Sequence, residues 1–416
     1  MAITVILIAG LLFMLKFFKV KIMEPAGIYS TVWLFFIIGS ILFLRGEYEF
    51  KYSGIIWILI TCYLFIIISR LVSSKEKCLV YRTIQRPYIP WKILLFIVIM
   101  SMGSVLYTMI TAGVSFSVFS DFMSLQNVAH MSAVDRYSTN GESGSLISQI
   151  LGSFIYIAPI CSGYSYVFAN EKKEKMICFS SIIPVILSML LTSAKLALVS
   201  YVILFFIGYY VAYIYLKKEI PIVKGKMIIL VCASGVGLFL LFFLSFILRI
   251  GSKESYMRQM ILDKLMIYTF GHIQGFDLWF EQNAFKLKTY GIGKNTFLAI
   301  SSRLGLIEKK QGIYGFIPGV CTNVFTQFRG LIEDFGPFFS IVILIIVFFI
   351  TYSLYLRVMT SEKRCVTRQI ILAGNMYWIL FMFVSAWSYT TYLVAFIMFA
   401  IYLYVGFYVK FKWRNR

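Results

Sequence analysis

The chain has 416 residues, of which 60% are hydrophobic, 18% aromatic and only 14% charged. Soluble globular chains carry about 25% charge and about 45–50% apolar residues, so this composition excludes a soluble multidomain protein as well as a disordered, collagenous or coiled-coil chain. A formal net charge of +21 on a soluble surface would point to nucleic acid, but a polytopic membrane protein first gathers Lys and Arg in its cytoplasmic loops.

A bilayer core of about 30 Å needs roughly 20 apolar residues per helix. In chain order the candidate spans are Ala2–Phe18, Gly27–Leu44, Ser53–Leu71, Trp91–Ala112, Leu146–Ala169 and Met176–Thr192. They continue with Leu196–Leu216, Met227–Ile247, Phe335–Leu356, Ile370–Ser385 and Tyr392–Tyr408, eleven in all. The first, sixth and tenth are short. The first has no basic residue ahead of it and Lys16, Lys19 and Lys21 behind it, the reverse of a cleavable signal, so it reads as a retained span. The expected fold is an all-α polytopic bundle forming one membrane domain over residues 1–416.

Alternate loops divide the charge unevenly. The loops and tail on one face take 24 basic residues, from Lys16, Lys19 and Lys21 through to Lys410, Lys412, Arg414 and Arg416. The loops on the other face, apart from 248–334, hold Arg45, Lys51, Arg136 and Lys195. By the positive-inside rule the first face is cytoplasmic, with the N-terminus outside and the C-terminus inside. Topology then accounts for most of the net charge, and no nucleic-acid partner is implied.

Two outer loops are long, 113–145 and 248–334, the second being 87 residues. Loops of that length are usually functional or disordered. The apolar stretches Met260–Phe280 and Gly315–Val324 argue for a folded, partly helical cap. Only Cys321 faces outward, and no CxxC spacing occurs, so neither an external intrachain disulfide nor a structural zinc is expected. HExxH, GxSxG and P-loop patterns are absent, which leaves protease, lipase and nucleotide-hydrolysis chemistry without support.

The candidate chemistry lies on the outer side. Lys195, in the link Thr192-Ser193-Ala194-Lys195, sits at the membrane boundary, where a cation snorkels or meets an anion. Arg249 follows the eighth span and Arg329 precedes the ninth. Guanidinium forks match phosphate oxygens, so all three are candidate phosphate ligands or interfacial anchors. His272 has the pKa range of a general base near neutrality, against the alternative of a satisfied structural histidine. Asp334, before Phe335-Gly336-Pro337, reads as an N-cap of the ninth span, a role compatible with lining a site. Asp277 and Glu281 share a helix face.

The run Gly319-Val320-Cys321-Thr322-Asn323-Val324-Phe325-Thr326, continuing to Glu333-Asp334-Phe335-Gly336, resembles a stretch of the bacterial oligosaccharide repeat-unit polymerases (Wzy-type O-antigen or capsule polymerases). Gly275-Phe276-Asp277, the Ser193–Lys195 link and the early Glu24-Pro25 also resemble that family, although Lys195 stands where the family often has Arg. The resemblance implies a GT-C-like membrane glycosyltransferase of the bacterial inner membrane. Donor and acceptor would both be undecaprenyl-diphosphate-linked oligosaccharides, with no sugar nucleotide, metal or other cofactor. Under it, Lys195, Arg249 and Arg329 bind the diphosphate, and His272, or failing that Asp334, is the base. Asn323, Thr326 and Asp277 contact sugar. Tyr268, Phe276, Trp279, Tyr290 and Tyr314 are candidates for stacking on sugar rings. Membrane lipid would be a further partner, and the resemblance leaves room for a chain-length regulator protein that leaves no trace in this sequence.

The rival readings are an O-antigen ligase, with the same donor and topology, and a lipid-linked oligosaccharide flippase or other transporter. A transporter is expected to show inverted repeats and ionisable residues within its spans, and neither pattern stands out here.

Overall fold

The computed structural model describes residues 1–75, 86–138, 145–222, 225–250, 255–287, 289–307, 314, 317–361, 365–381, 387 and 389–409. Among these the regular structure is helical throughout. The α-helices are α1 (Ala2–Phe17), α2 (Pro25–Leu44), α3 (Ser53–Lys75), α4 (Trp91–Thr111), α5 (Phe122–Ser138), α6 (Leu146–Tyr166), α7 (Lys172–Ser180) and α8 (Ile183–Thr192). They continue as α9 (Lys195–Lys217), α10 (Gly225–Ile250), α11 (Ser255–Asn283), α12 (Leu298–Arg303), α13 (Gln327–Thr360), α14 (Val366–Leu380) and α15 (Thr390–Tyr408). Lipid offers the backbone no hydrogen bonds, so an apolar chain of this kind satisfies its amides within helices.

Among the described residues, eight helices are long and apolar enough to cross a bilayer, and the protein is membrane-embedded. The other three expected spans, the first, eighth and tenth, are not among these eight. Ala2–Phe17 and Gly235–Leu248 are shorter apolar helices. Helix α14 has 15 residues, and 382–385 of the expected tenth span lie outside the described residues. The sixth span is present as one apolar segment, Lys172–Thr192, built from α7 and α8 with Pro184 in the first turn of α8. Of the two long loops, 113–145 contains α5, and 248–334 contains α11 and α12.

The chain divides into two compact units, each discontinuous in sequence. The first comprises Met1–Cys78, Leu262–Arg357 and Asn375–Thr390. Its interior is aromatic: Phe65 stacks on Phe348 at 4.2 Å and Tyr29 meets both. Trp33 and Trp57 close on Phe328 at 5.1 and 4.9 Å. At the end of α2 and α3 remote from their connecting turn, Glu24 accepts from Arg70 Nη2 at 2.5 Å and from the Tyr352 hydroxyl at 3.1 Å. Ser73 Oγ donates to that hydroxyl at 3.1 Å. Removing one partner of a largely buried pair strands the other charge at a cost of about 3–5 kcal/mol. Glu24→Ala is therefore expected to lower thermal stability in detergent by about 3 kcal/mol. The Glu24→Ala/Arg70→Ala double variant should lose less than the sum of the singles. Strict additivity in that cycle would show that the pair is not coupled.

The second unit comprises Leu79–Ile261, Val358–Gly374 and Thr391–Arg416. Helices α6 and α9 cross with glycine facing backbone. A Cβ on Gly163 would lie 2.0 Å from the Phe205 carbonyl, and one on Gly208 would lie 2.2 Å from that of Ile160. Small residues let membrane helices approach this closely. Tyr164 donates to Gln369 at 2.9 Å, and the Ser165–Tyr402 and Ser200–Tyr392 hydroxyl pairs are each 2.7 Å apart.

Candidate functional site

Helix α11 carries two buried polar residues, Asp277 and Gln274, that tie distant segments of the first unit together. Asp277 is buried, and both its oxygens are engaged by the start of α3. Oδ2 accepts from the backbone N–H of Lys51 at 2.7 Å and Tyr52 at 2.8 Å; Oδ1 accepts from Gly54 at 2.9 Å and Ile55 at 3.3 Å. A carboxylate has about four acceptor positions, and here all are taken by the backbone amides at the N-terminus of α3. Gly54 allows the approach, since a Cβ there would sit 2.7 Å from Asp277 Cα. Burial raises the Asp277 carboxyl above the usual carboxylate range, and the four amides pull it back. The sugar contact expected of Asp277 gives way to a structural role.

Gln274 is fully buried one turn earlier. Its amide donates to the carbonyls of Glu49 and Gly319, each at 3.1 Å, and accepts from Cys321 N at 3.2 Å. It fastens the 319–321 turn to α11. Sequence reading passes over it, because an isolated glutamine in an apolar helix carries no pattern.

His272 is 3% exposed, with its ring edge-on to Phe36 at 4.8 Å. Burial holds its pKa down to about 3, and a backbone hydrogen bond at Thr269 offsets only part of that. It is neutral at pH 7 and a poor proton acceptor, so the expected general base near neutrality is corrected to a core histidine. A folded pKa of about 3 against about 6.5 when unfolded means that the unfolded chain binds the extra proton between these values. Stability should then fall as pH drops from about 6.5 toward 3, by up to about 1.4 kcal/mol per pH unit. Thermal unfolding across that range should show a flatter profile for His272→Gln. Parallel profiles for the two proteins would exclude His272 as the source.

Asp334 is likewise committed. Oδ1 accepts from Asn295 N at 3.1 Å and Asn295 Nδ2 at 3.0 Å, and Oδ2 accepts from Thr296 N at 2.6 Å and Thr296 Oγ1 at 2.7 Å. It does not cap the ninth span. Helix α13 begins at Gln327, and its break falls at Gly336, φ 75°. Pro337 opens the 24-residue remainder, about 36 Å long, and Ser340 Oγ donates to the carbonyls of Leu331 and Gly336 at 3.0 and 2.6 Å. The carboxylate organises the 291–296 loop instead, which removes it as the alternative base.

Arg329 lies in the short first segment of α13 in an aromatic enclosure. Its guanidinium carbon is 4.2 Å from the ring centre of Tyr314, 4.3 Å from that of Phe325 and 5.3 Å from that of Trp279. Nε donates to Glu333 Oε1 at 2.9 Å, one turn along. Nη1 is buried with no hydrogen-bond partner, as is Thr326 Oγ1 at the head of the helix. Asn323 is exposed in the preceding turn. Glu333, which the sequence reading left without a role, thus becomes the carboxylate beside the guanidinium. Its signal was the i,i+4 spacing from Arg329. Trp279, Tyr314 and Phe276 are buried, which takes them from sugar stacking to packing. Among the described residues no group of three or more His, Cys, Asp or Glu converges.

Compared with known proteins, the chain matches no family model, no curated protein and no solved structure. The other two expected phosphate ligands belong to the second unit. Lys195 opens α9, with its ammonium 3.2 Å from the ring centre of Phe246. This is the geometry of an interfacial cation settled on an aromatic face. Arg249 lies outside the residues whose side chains are described. The candidate site is therefore Arg329, Glu333 and Thr326.

Proposed function

We propose that the chain is a GT-C-like membrane glycosyltransferase joining undecaprenyl-diphosphate-linked oligosaccharide repeat units into O-antigen or capsule on the outer face of a bacterial inner membrane, N-terminus outside. The observation that carries the reading is Arg329. It is a guanidinium enclosed by three rings, oriented by Glu333, with a buried N–H that has no partner. Such a group is preorganised for an incoming oxyanion. In the reaction the acceptor hydroxyl oxygen bonds to the anomeric carbon of the donor glycan. The anomeric C–O bond to diphosphate breaks, and its electron pair leaves on the diphosphate. Arg329 supplies fixed positive charge where that negative charge develops. Glu333 replaces His272 and Asp334 as the acceptor of the hydroxyl proton, and Thr326 offers a hydroxyl to the same ligand.

The test is deletion of the gene in its host, with the surface glycan resolved on a silver-stained gel. Complementation uses wild type, Arg329→Lys and Glu333→Gln, each checked for membrane expression. A ladder collapsing to core plus one repeat unit supports a polymerase, and bare core would instead indicate the ligase reaction. An unchanged ladder in the deletion strain overturns the proposal, as does full complementation by both variants.

A further inference from the structure

Residues 284–307 contain no Asp or Glu but carry Lys286, Lys288, Lys294 and Arg303. Of these, Lys286, Lys294 and Arg303 are exposed. Between and beside the cations stand apolar side chains turned outward: Phe285, Ile292, Phe297, Ile300, Leu304 and Leu306. Ile292 is 82% exposed. Its backbone adopts φ 50°, a left-handed conformation costly for a β-branched residue. The conformation is enforced. Gly291 N–H donates to the Glu333 carbonyl at 3.0 Å, and Ile292 N–H donates to that of Asp334 at 3.1 Å. The Asp334 carboxylate grips Asn295 and Thr296 beyond it. Strain is thus held in place to present an isoleucine outward, which has no benefit in water.

The same surface runs onto a membrane span. The Phe285 ring lies 5.9 Å from that of Phe338. Phe338 and Phe339 follow Pro337 at the start of the spanning part of α13, and both are more than 70% exposed. The apolar face is therefore continuous with a lipid-facing one, and its cations complement anionic headgroups. Tyr290, half exposed, is the kind of residue enriched at that depth.

We propose that residues 285–306 form a membrane-docking element, with Ile292 and Phe297 inserted among the headgroups of an anionic bilayer and Lys286 and Lys294 paired with lipid phosphates. The element does not cross the bilayer, and the assignment is independent of the glycosyltransferase reading. Because Asp334 and Glu333 hold the loop, it also fixes the first segment of α13, and Arg329 with it, at headgroup depth.

The test uses the full chain in lipid nanodiscs, in a Cys321→Ser parent whose background labelling is subtracted. Spin labels are placed at Ile292→Cys and, as a second position, Phe297→Cys, with Phe338→Cys as the span reference. In phosphatidylcholine/phosphatidylglycerol discs, collisions with oxygen should exceed those with an aqueous nickel chelate several-fold at both loop positions. Lys286→Glu/Lys294→Glu should bring that ratio down toward the aqueous value. Ready access to nickel at both positions overturns the proposal. Exclusion of both oxygen and nickel also overturns it, because that pattern means a protein contact such as a second copy. A ratio unaffected by the charge reversal overturns the pairing with anionic lipid.

Discussion

Arg329→Ala is expected to destabilise the first unit by about 3 kcal/mol and to abolish function in the complementation assay. The loss is set by what the guanidinium leaves behind. Glu333 would lose its partner in a mostly buried setting, and breaking such a pair costs about 3–5 kcal/mol. The side chains of the pair retain 12% and 21% exposure, so the lower figure applies. Three ring faces, those of Tyr314, Phe325 and Trp279, would also lose a cation worth about 0.5–2 kcal/mol in such contacts. Arg329→Lys separates the two roles. An ammonium keeps the charge and a bond to Glu333, but it has no planar fork to lie between the rings while donating elsewhere. It should recover most of the thermal stability and little of the function. Equal recovery of both would mean that charge alone matters at this position and would count against an oriented N–H as the functional group.

Asp334→Asn should act locally and strongly. The carboxylate receives four hydrogen bonds from Asn295 and Thr296. The amide that replaces it has one acceptor oxygen and turns an NH2 group on the remaining donors. Buried donors left unsatisfied cost about 1–3 kcal/mol each, although not additively. A local loss of about 3 kcal/mol corresponds to roughly 100-fold faster amide exchange. Hydrogen–deuterium exchange should show that acceleration over residues 291–297 with little change in the α6–α9 pair. Wild-type protection at Asn295 and Thr296 would show that the loop is held by its backbone bonds alone. The strained Ile292 is the sensitive reporter, because its left-handed conformation depends on the loop being anchored on both sides.

The membrane character, the helical content and most of the spans were legible in the sequence because hydrophobic runs of sufficient length have few structural alternatives. The misreadings have physical causes too. Asp334 before Phe335-Gly336-Pro337 looks like a cap because local pattern assigns a carboxylate to its nearest helix start. The fold gives it to a loop 39 residues earlier in the chain. Asp277 does cap a helix, but one whose start is more than 220 positions away, and no periodicity reports that. His272 was read from its intrinsic pKa, whereas its burial decides its behaviour. Arg329 was visible as a cation beside a span. The enclosure that orients it comes from Phe325 and from Trp279 and Tyr314, the last two of which read from sequence as stacking surfaces for sugar.

The cap on α3 has a consequence for how the protein is made. The amides of residues 51–55 emerge from the ribosome long before the carboxylate that receives them, with 226 positions separating Lys51 from Asp277. At about 5–20 residues per second, the interval is roughly 11–45 s of translation. Throughout it, the start of α3 relies on water or headgroup partners, and most of the second unit is synthesised in between. Completion of the first unit is therefore a late event in biogenesis, and a nascent chain arrested before Asp277 should present an open α2–α3 hairpin to membrane quality control.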